Sequence, residues 1–494
     1  MKRFLLGIDV GTTGTKTYLF SESGEIVSSA YRGYEMLTPD TQTSELVTDE
    51  IWQAVVETVR NATASIEKNE KIAAVSLSTQ GGTLIPVDKK YNPVFNAIVW
   101  NDRNCTAEKD KFIEEFGNGG ILYQLTGWQL GSGLPLLQTR RLKDRYPDVF
   151  SKTDLFLSVH DFISAKMTGK PVVDMSNAGI NQFVDIKKEK YDERLLAFAG
   201  IHEDRLAVLS RSGKPVGRLT GLAAEELGLS CDTVFVAGAH DQYAAAVGAG
   251  ACKCGDTIIG TGTSWVVTSL NSENDFSSGL AQSVSACDSM WGSLASLSYG
   301  GACVEWMRKK VVSTESGHIR SLKDIDTACS VLKAAEDGLF FYPFMCFLSD
   351  DRKKRSDRAQ FIGLDVSHNA SHMILAVMEG IAFQLKWLLE SFPFRQNRIK
   401  LTGGASKSEF WTQIIADVLD CPVVIADVPD IACVGAAVLA GIGSGVYGSM
   451  SEGCGKLLQS EKAVYPVPAK ADMYRSAFLI YKRNADLISR MCLK

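Results

Sequence analysis

Three short stretches of this chain combine residue types that can handle a phosphate and a hydroxyl. In Leu5–Phe20, LLGIDVGTTGTKTYLF, an apolar run carrying one acid, Asp9, enters a Gly/Thr turn and leaves through Lys16. Backbone N–H groups around Gly11 and Gly14, the hydroxyls of Thr12, Thr13 and Thr15, and the Lys16 ammonium can converge on an anion. The two glycines are expected to supply positive φ and close approach. An acid beside such a loop repels the anion unless a cation intervenes, so Asp9 points to Mg²⁺ that keeps most of its waters. The alternative for this stretch alone is an ordinary β-turn with a solvated aspartate. The second stretch, Asp256–Val267 (DTIIGTGTSWVV), repeats the plan of strand, Gly/Thr turn at Gly260-Thr261-Gly262-Thr263-Ser264, and strand. Two such copies half a chain apart favour the phosphate reading, with a nucleotide as guest. In the third stretch, a strand at Cys231–Ala239 delivers His240-Asp241-Gln242 to the start of a small-residue helix. A carboxylate there, favoured by the helix dipole, can accept a hydroxyl proton, and it also suits an N-cap.

The elements that must position these groups can be read from the apolar pattern. The hairpin at Asp9 continues into a third strand at Glu25–Ala30, and Thr48-Asp49-Glu50 opens a helix through Ile51, Trp52, Val55, Val56 and Val59. A strand at Lys71–Leu77 delivers Ser78-Thr79-Gln80-Gly81-Gly82-Thr83 at its C-terminal end, and Ala97–Trp100 delivers Asn101-Asp102-Arg103 in the same way. In a parallel α/β sheet that end faces the ligand crevice. Polar groups and an indole at strand ends suit a sugar, whose hydroxyls need paired donors and acceptors; a loop with a surface ion pair is the alternative. Later, Gly300-Gly301 leads into a helix, and a strand at Arg398–Leu401 runs into Thr402-Gly403-Gly404-Ala405-Ser406-Lys407-Ser408 and a second helix. Such glycines admit a base or ribose against backbone. Ser367 is expected to cap a long helix, and Gly435-Ala436-Ala437 to open a small-residue helix packed under a bound base. The region from about Ile121 to Gly228 reads as an insertion walling one side of a cleft.

At 494 residues the chain exceeds one ordinary core. The repeated hairpin divides it into 1–250 and 251–494. Hydrophobic content of 45% with 22% charged residues is that of a folded protein, and a net charge of −5 with scattered basic residues offers no footprint for nucleic acid. No leader with a cleavage site is recognisable and no apolar run approaches the ~18 residues of a membrane span, so a cytoplasmic protein is expected. The twelve cysteines are scattered and read as reduced, mostly buried thiols. His368 and His372 stand four apart without a glutamate between them or an evident third ligand, which argues against zinc. Neither GxxxxGK[ST] nor GxGxxG occurs, which disfavours P-loop and Rossmann enzymes.

GIDVGTTGTK, AHDQ, IGTGTS, GGACVEW and TGGASKSEFWTQIIADVLDCPV, in this order, resemble the FGGY family of carbohydrate kinases, and the C-terminal stretch is most similar to xylulokinases. The resemblance spans nearly the whole chain. It implies an α/β fold of two actin/Hsp70-like (ribonuclease H-like) domains flanking a central cleft, with the sugar on the first and the nucleotide base on the second. It implies a kinase using ATP and Mg²⁺, a ketose or related polyol as acceptor, and a homodimer. By the same resemblance Asp241 is the catalytic base, and Gln80, Gly81, Trp100, Asp102 and Gln242 contact the sugar. Asp9 and Asp241 lie near the metal. Gly11, Thr12, Thr13, Lys16, Gly260, Thr261 and Gly262 hold phosphates, while Gly301, Glu305, Gly403, Gly404, Ala405 and Ser408 line the ADP site. The chain departs from the family at Gly81-Gly82, where glycerol kinases carry Arg-Glu and xylulokinases Met-His. Two glycines leave volume for a larger ketose or for another side chain to fill. It departs again at Asp350-Asp351-Arg352, in place of the usual Gly-Glu-Arg, and at Leu375, where arginine is common. Two competitors are a sugar sensor that has lost catalysis and a sugar-independent ATPase of the same fold.

Overall fold

The computed structural model describes residues 2–67, 70–312, 321–333, 335–343, 358–394, 396–426, 428–458 and 460–492. The Asp350-Asp351-Arg352 departure lies outside them. The chain forms two compact units, of which unit 1 comprises 1–254, 270–293 and 428–459, and unit 2 comprises 255–269, 294–427 and 460–494. The expected division at 250 falls close to the end of unit 1's first segment. Two later segments, 270–293 and 428–459, return to unit 1.

Unit 1 is built on a six-stranded sheet. Its strands are β1 (Arg3–Val10), β2 (Gly14–Ser21), β3 (Ile26–Gly33), β4 (Lys71–Thr79), β5 (Pro215–Arg218) and β6 (Val234–His240), in the order β5-β6-β4-β1-β2-β3. β1, β4 and β6 run parallel, and the β1–β2 hairpin sets Asp9 opposite Lys16. β4 is buried almost throughout, as a strand covered on both faces must be. Helix α1 (Thr48–Thr63) covers one side with Ile51, Trp52, Val55 and Val59. The helix Ile431–Gly443 covers the other, packing on β1, β4 and β6. It was expected beneath a nucleotide base; its small residues serve close packing instead. A Cβ at Gly7 in β1 would lie 2.0 Å from the Cys433 carbonyl oxygen. Where this helix meets α2 (Asp241–Gly248), a Cβ at Gly435 would lie 1.8 Å from the Ala244 carbonyl, and one at Gly248 1.8 Å from that of Ile431. Only glycine allows the two backbones to touch. Much of the opaque middle region forms a satellite core with Leu84, Phe112, Leu137, Phe156, Phe183 and Phe198 at its centre.

Unit 2 repeats the sheet plan with β7 (Asp256–Thr261), β8 (Trp265–Asn271), β9 (Arg398–Gly403), β10 (Val423–Ala426) and β11 (Glu461–Val464), ordered β8-β7-β9-β10-β11. β7 and β8 form the antiparallel hairpin, β7, β9 and β10 are parallel, and β11 closes the edge antiparallel. Helices α3 (Gly300–Lys310), α4 (Ala370–Glu390), α5 (Glu409–Leu419) and α6 (Pro468–Cys492) complete it. Asn369, not Ser367, caps α4, accepting N–H donations from Ser371 and His372. α4 also corrects the membrane expectation, since by length and composition it could cross a bilayer. Ile374–Phe383 and Leu385 are nevertheless buried, which is what a core helix requires. The ten described cysteines carry thiols, most of them buried.

Candidate active site

Residues of unit 1 gather at the C-terminal ends of β1, β4 and β6. Gly11 and Gly14 are not among the positive-φ glycines, so the expected positive φ is corrected. The Gly11 N–H donates to the Gly14 carbonyl, and a Cβ at Gly14 would lie 2.6 Å from the Tyr31 ring. Tight packing of β3 is what selects Gly14. The Gly11 carbonyl accepts from Tyr34 Oη and from Gln80 Nε2, while Gln80 Oε1 accepts from Thr83. Gln80, expected at the sugar, is 3% exposed and spends both ends of its side chain bracing the turn.

Asp9 accepts a 2.7 Å hydrogen bond from Ser78 Oγ at the end of β4. Burial raises its pKa from 3.8 to about 7, with the charges of Asp430 and Asp241 adding to the rise and the Ser78 bond opposing it. Lys16 does not stand free: its Nζ donates to Asp430 Oδ2 at 2.7 Å. Burial pulls its ammonium down, but Asp430 and Asp9 together lift its pKa above the ordinary value. Asp430 is a residue at this site that sequence reasoning missed. Its visible signal was that of an N-cap, and it does accept from the Cys433 N–H at the head of the 431–443 helix. Nothing local announces the long-range approach to Asp9.

Asp241 is the first residue of α2, with His240 as N-cap. The pairing of β6 with β4 shifts between Val236 and Ala239, and a Cβ at Gly238 would lie 1.9 Å from the Leu77 carbonyl. The Gly238 N–H is accepted by His160 Nε2 at 2.9 Å, and His160 Nδ1 lies 2.9 Å from the Val172 carbonyl, so the bulge is fixed from outside the ladder. Asp241 Oδ1 is buried and accepts no hydrogen bond within the protein. Unmet acceptors of this kind mark a place where a ligand completes the bonding.

Mg²⁺ is compatible with these carboxylates. Three acids within electrostatic reach, one held near neutral pKa by burial and like charge, would be relieved by a divalent cation. Among the described residues no three such groups converge on a bare ion. A cation that keeps most of its waters and takes its other ligands from phosphate does not need them to.

Two of the expected sugar contacts behave differently from each other. Asp102 is 1% exposed, accepts from the Ser44 and Asn104 N–H groups, and pairs with Arg141 Nη1 at 3.0 Å. It anchors the loop from inside. Trp100 stands half-exposed beside Gly82. The regular strand there covers only Ala97–Ile98, so Trp100 belongs to the following turn.

In unit 2, the residues expected at the nucleotide mostly meet. The Gly301 N–H donates to the Gly262 carbonyl at 3.2 Å and the Ala302 N–H to that of Thr263 at 3.1 Å. The Gly404 N–H donates to the Thr261 carbonyl, and Thr261 Oγ1 accepts from the Ala405 N–H while donating to the Thr402 carbonyl. A Cβ at Gly301 would lie 2.3 Å from the Gly262 oxygen, and Gly403 sits at φ +91°. These three turns line an open pocket of about 490 Å³ together with Glu305, Trp306 and Lys309. Hydrogen bonds from Arg308 and Lys309 lower the Glu305 pKa to about 2. Gly260 and Gly403 lie behind the lining. Ser408 is buried, caps α5 by accepting from the Trp411 N–H and donates to Asp326, so its hydroxyl is engaged. Trp306 and Lys309 were not foreseen at the pocket; helical spacing from Gly301 was the only signal.

Residues 4–248 match the FGGY family of carbohydrate kinases, N-terminal domain, and residues 257–444 match its C-terminal domain. The chain belongs to the FGGY family of carbohydrate kinases. It is 28% identical to a gluconokinase of Bacillus subtilis (strain 168), over 99% of this chain and 96% of that protein. It is 26% identical to a xylulose kinase of the same organism, over 97% and 96%. Among solved structures, gluconate kinase from Lactobacillus acidophilus superposes with a TM-score of 0.89 at 25% identity, covering 99% of both chains. Xylulose kinase from Rhodospirillum rubrum gives 0.91 at 22% identity over the whole of both. The chain is therefore a carbohydrate kinase with the two-domain fold of that family.

His368 and His372, the zinc candidates, have rings 5.4 Å apart. Their Nδ1 atoms accept from the Asp365 and Asn369 N–H groups, so both serve the start of α4.

Proposed function

We propose that this kinase transfers the γ-phosphoryl group of ATP to a hydroxyl of a ketose, pentulose or hexulose, or of a related polyol, with Asp241 as general base. The observation that carries this reading is the buried Oδ1 of Asp241, without a hydrogen bond in the protein, at a helix N-terminus within electrostatic reach of Asp9. A hydroxyl donating to that oxygen would be oriented and ready to lose its proton. In unit 1, Lys16 and the 11–15 turn would take phosphate, and Asp9, with Asp241, a hydrated cation. In unit 2, the pocket at Gly262, Gly301 and Gly404 would take the nucleoside and the Thr261 turn phosphates. Bound Mg²⁺ would neutralise charge on the transferred group. Because the transition state is loose, positioning and charge account for most of the acceleration, and the base for a smaller share.

General-base catalysis is worth about 10²–10⁴-fold, so Asp241→Asn should lower kcat by that range while leaving ATP affinity within about twofold. A coupled ADP-release assay with titration of nucleotide binding checks both halves. A variant keeping more than about a third of wild-type kcat would remove Asp241 from the role. Screening pentuloses, hexuloses, polyols and aldonates in the same assay identifies the acceptor. ADP release that ignores every sugar would instead favour an ATPase.

A further inference from the structure

The space at Gly81 and Gly82 is not empty. A Cβ at position 81 would lie 2.5 Å from Cδ2 and 2.8 Å from Nε2 of His240, and 3.0 Å from Cγ2 of Ile180. At Gly82, held at φ +75°, a Cβ would lie 2.8 Å from Leu134 Cδ2 and 3.2 Å from Trp100 Cβ. Side chains from other elements fill what the glycines vacate, and at position 81 the filler is an imidazole.

His240 is 6% exposed and sits edge-on to Trp128 with ring centroids 6.2 Å apart. Its backbone N–H is held by Ser176 Oγ at 2.9 Å. Nε2 lies 3.4 Å from Asp241 Oδ1, too far for a good hydrogen bond, and Nδ1 is buried with no partner in the protein. Two residues beyond Ile180, Gln182 is fully buried at φ +66°, a conformation that strains a non-glycine residue. Its Nε2 donates to the Gln129 carbonyl, which leaves Oε1 unpartnered. Of these unmet atoms, a carboxylate oxygen and an amide oxygen can only accept, while an imidazole can donate at one nitrogen and accept at the other.

We infer that His240, in the space left by Gly81, is the specificity-determining residue for the carbohydrate, binding hydroxyls beside the one phosphorylated and selecting a neutral ketose or polyol over an aldonate. Hydroxyls supply the donors that Asp241 and Gln182 lack, and can both give to and take from the imidazole. An aldonate that set its carboxylate against His240 would bring only acceptors there and a second negative charge near Asp241, at a cost that rises in a buried site.

This inference rests on the proposed kinase reaction, and the test separates the two. Wild type, His240→Asn, His240→Gln, Gly81→Ala and the double variant Gly81→Ala/His240→Gly are assayed by ADP release with xylulose, fructose, xylitol and gluconate. Calorimetric titration of each sugar without nucleotide runs alongside, and ATP binding reports folding. Wild type should prefer a ketose or polyol to gluconate in kcat/KM. His240→Gln should raise KM for the preferred sugar at least tenfold, lower kcat less than KM rises, and reorder the sugars. Gly81→Ala, which crowds the imidazole, should weaken sugar binding by a similar factor, and the double variant should lose little more than either single change, because both act through the imidazole. An unchanged KM and rank order in His240→Gln, or a wild type that prefers gluconate, overturns the inference. If no sugar supports ADP release, the kinase reading fails, and calorimetric binding to wild type and His240→Gln still decides the part played by His240.

Discussion

Replacing Asp9 with asparagine should make the protein more stable at alkaline pH while impairing its reaction. In the folded chain the Asp9 pKa stands at about 7 against 3.8, so the folded state keeps a proton that the unfolded chain has already released. Stability from this group is therefore complete below pH ~4 and declines as pH rises to ~7, where Asp9 ionises in both states. At ~1.4 kcal/mol per pKa unit the full rise corresponds to about 4 kcal/mol. The carboxylate keeps some access to water, and an asparagine oxygen retains the Ser78 bond but adds an NH₂ that needs an acceptor. A gain of about 2 kcal/mol for Asp9→Asn at pH 8 is expected. In a unit of this size that raises melting by roughly 4 °C. Urea unfolding and thermal melts of both proteins from pH 5 to 8.5, without nucleotide or divalent cation, provide the measurement. The curves should approach one another as pH falls from 7 toward 5 and keep a constant separation above pH 7. A variant no more stable than wild type at pH 8, or equally stabilised at pH 5, would refute the account of Asp9 as an acid crowded by Asp430 and Asp241.

Two further substitutions test the packing that holds the site. Gly435→Ala should cost about 3 kcal/mol or prevent folding, since the new methyl would meet the Ala244 carbonyl. Gly455→Ala, on a helix where a Cβ meets nothing within 4 Å, should be neutral or stabilising by up to about 1 kcal/mol, and soluble yield with melting temperature distinguishes them. Arg141→Met leaves the buried Asp102 carboxylate without its cation and should cost about 3–5 kcal/mol in urea unfolding. Adding Asp102→Asn should return part of that.

What the sequence disclosed was local. Both hairpins, the strands at 71–79, 234–240 and 398–403, and the turns at Gly301 and Gly404 were legible because apolar strands punctuated by glycine and threonine have a period and a stop. The turn glycines were legible as glycines but not for their reason: Gly14 makes room for Tyr31 across the sheet, a contact 17 residues away that no turn rule contains. Asp430 and Arg141 show the same limit. Each is one charged residue in an ordinary helical context until the fold brings Lys16 to one and Asp102 to the other. Gln80 and Asp102 stood at strand ends, where ligands are met, but a strand end also has to be braced, and residue type does not tell a brace from a contact. The departure at Gly81 was visible, and only coordinates could show an imidazole from 159 residues downstream in its place.

The return of residues 428–459 to unit 1 sets a schedule for biosynthesis. When the ribosome has made the first 250 residues, β1, β4 and β6 still lack the helix that covers one of their faces, and Gly7 has yet to meet Cys433. The nascent sheet therefore waits, one side bare, while most of unit 2 is synthesised. During that interval it is open to mispairing or to chaperones, and the enzyme's first domain to begin is among the last parts of the molecule to be finished.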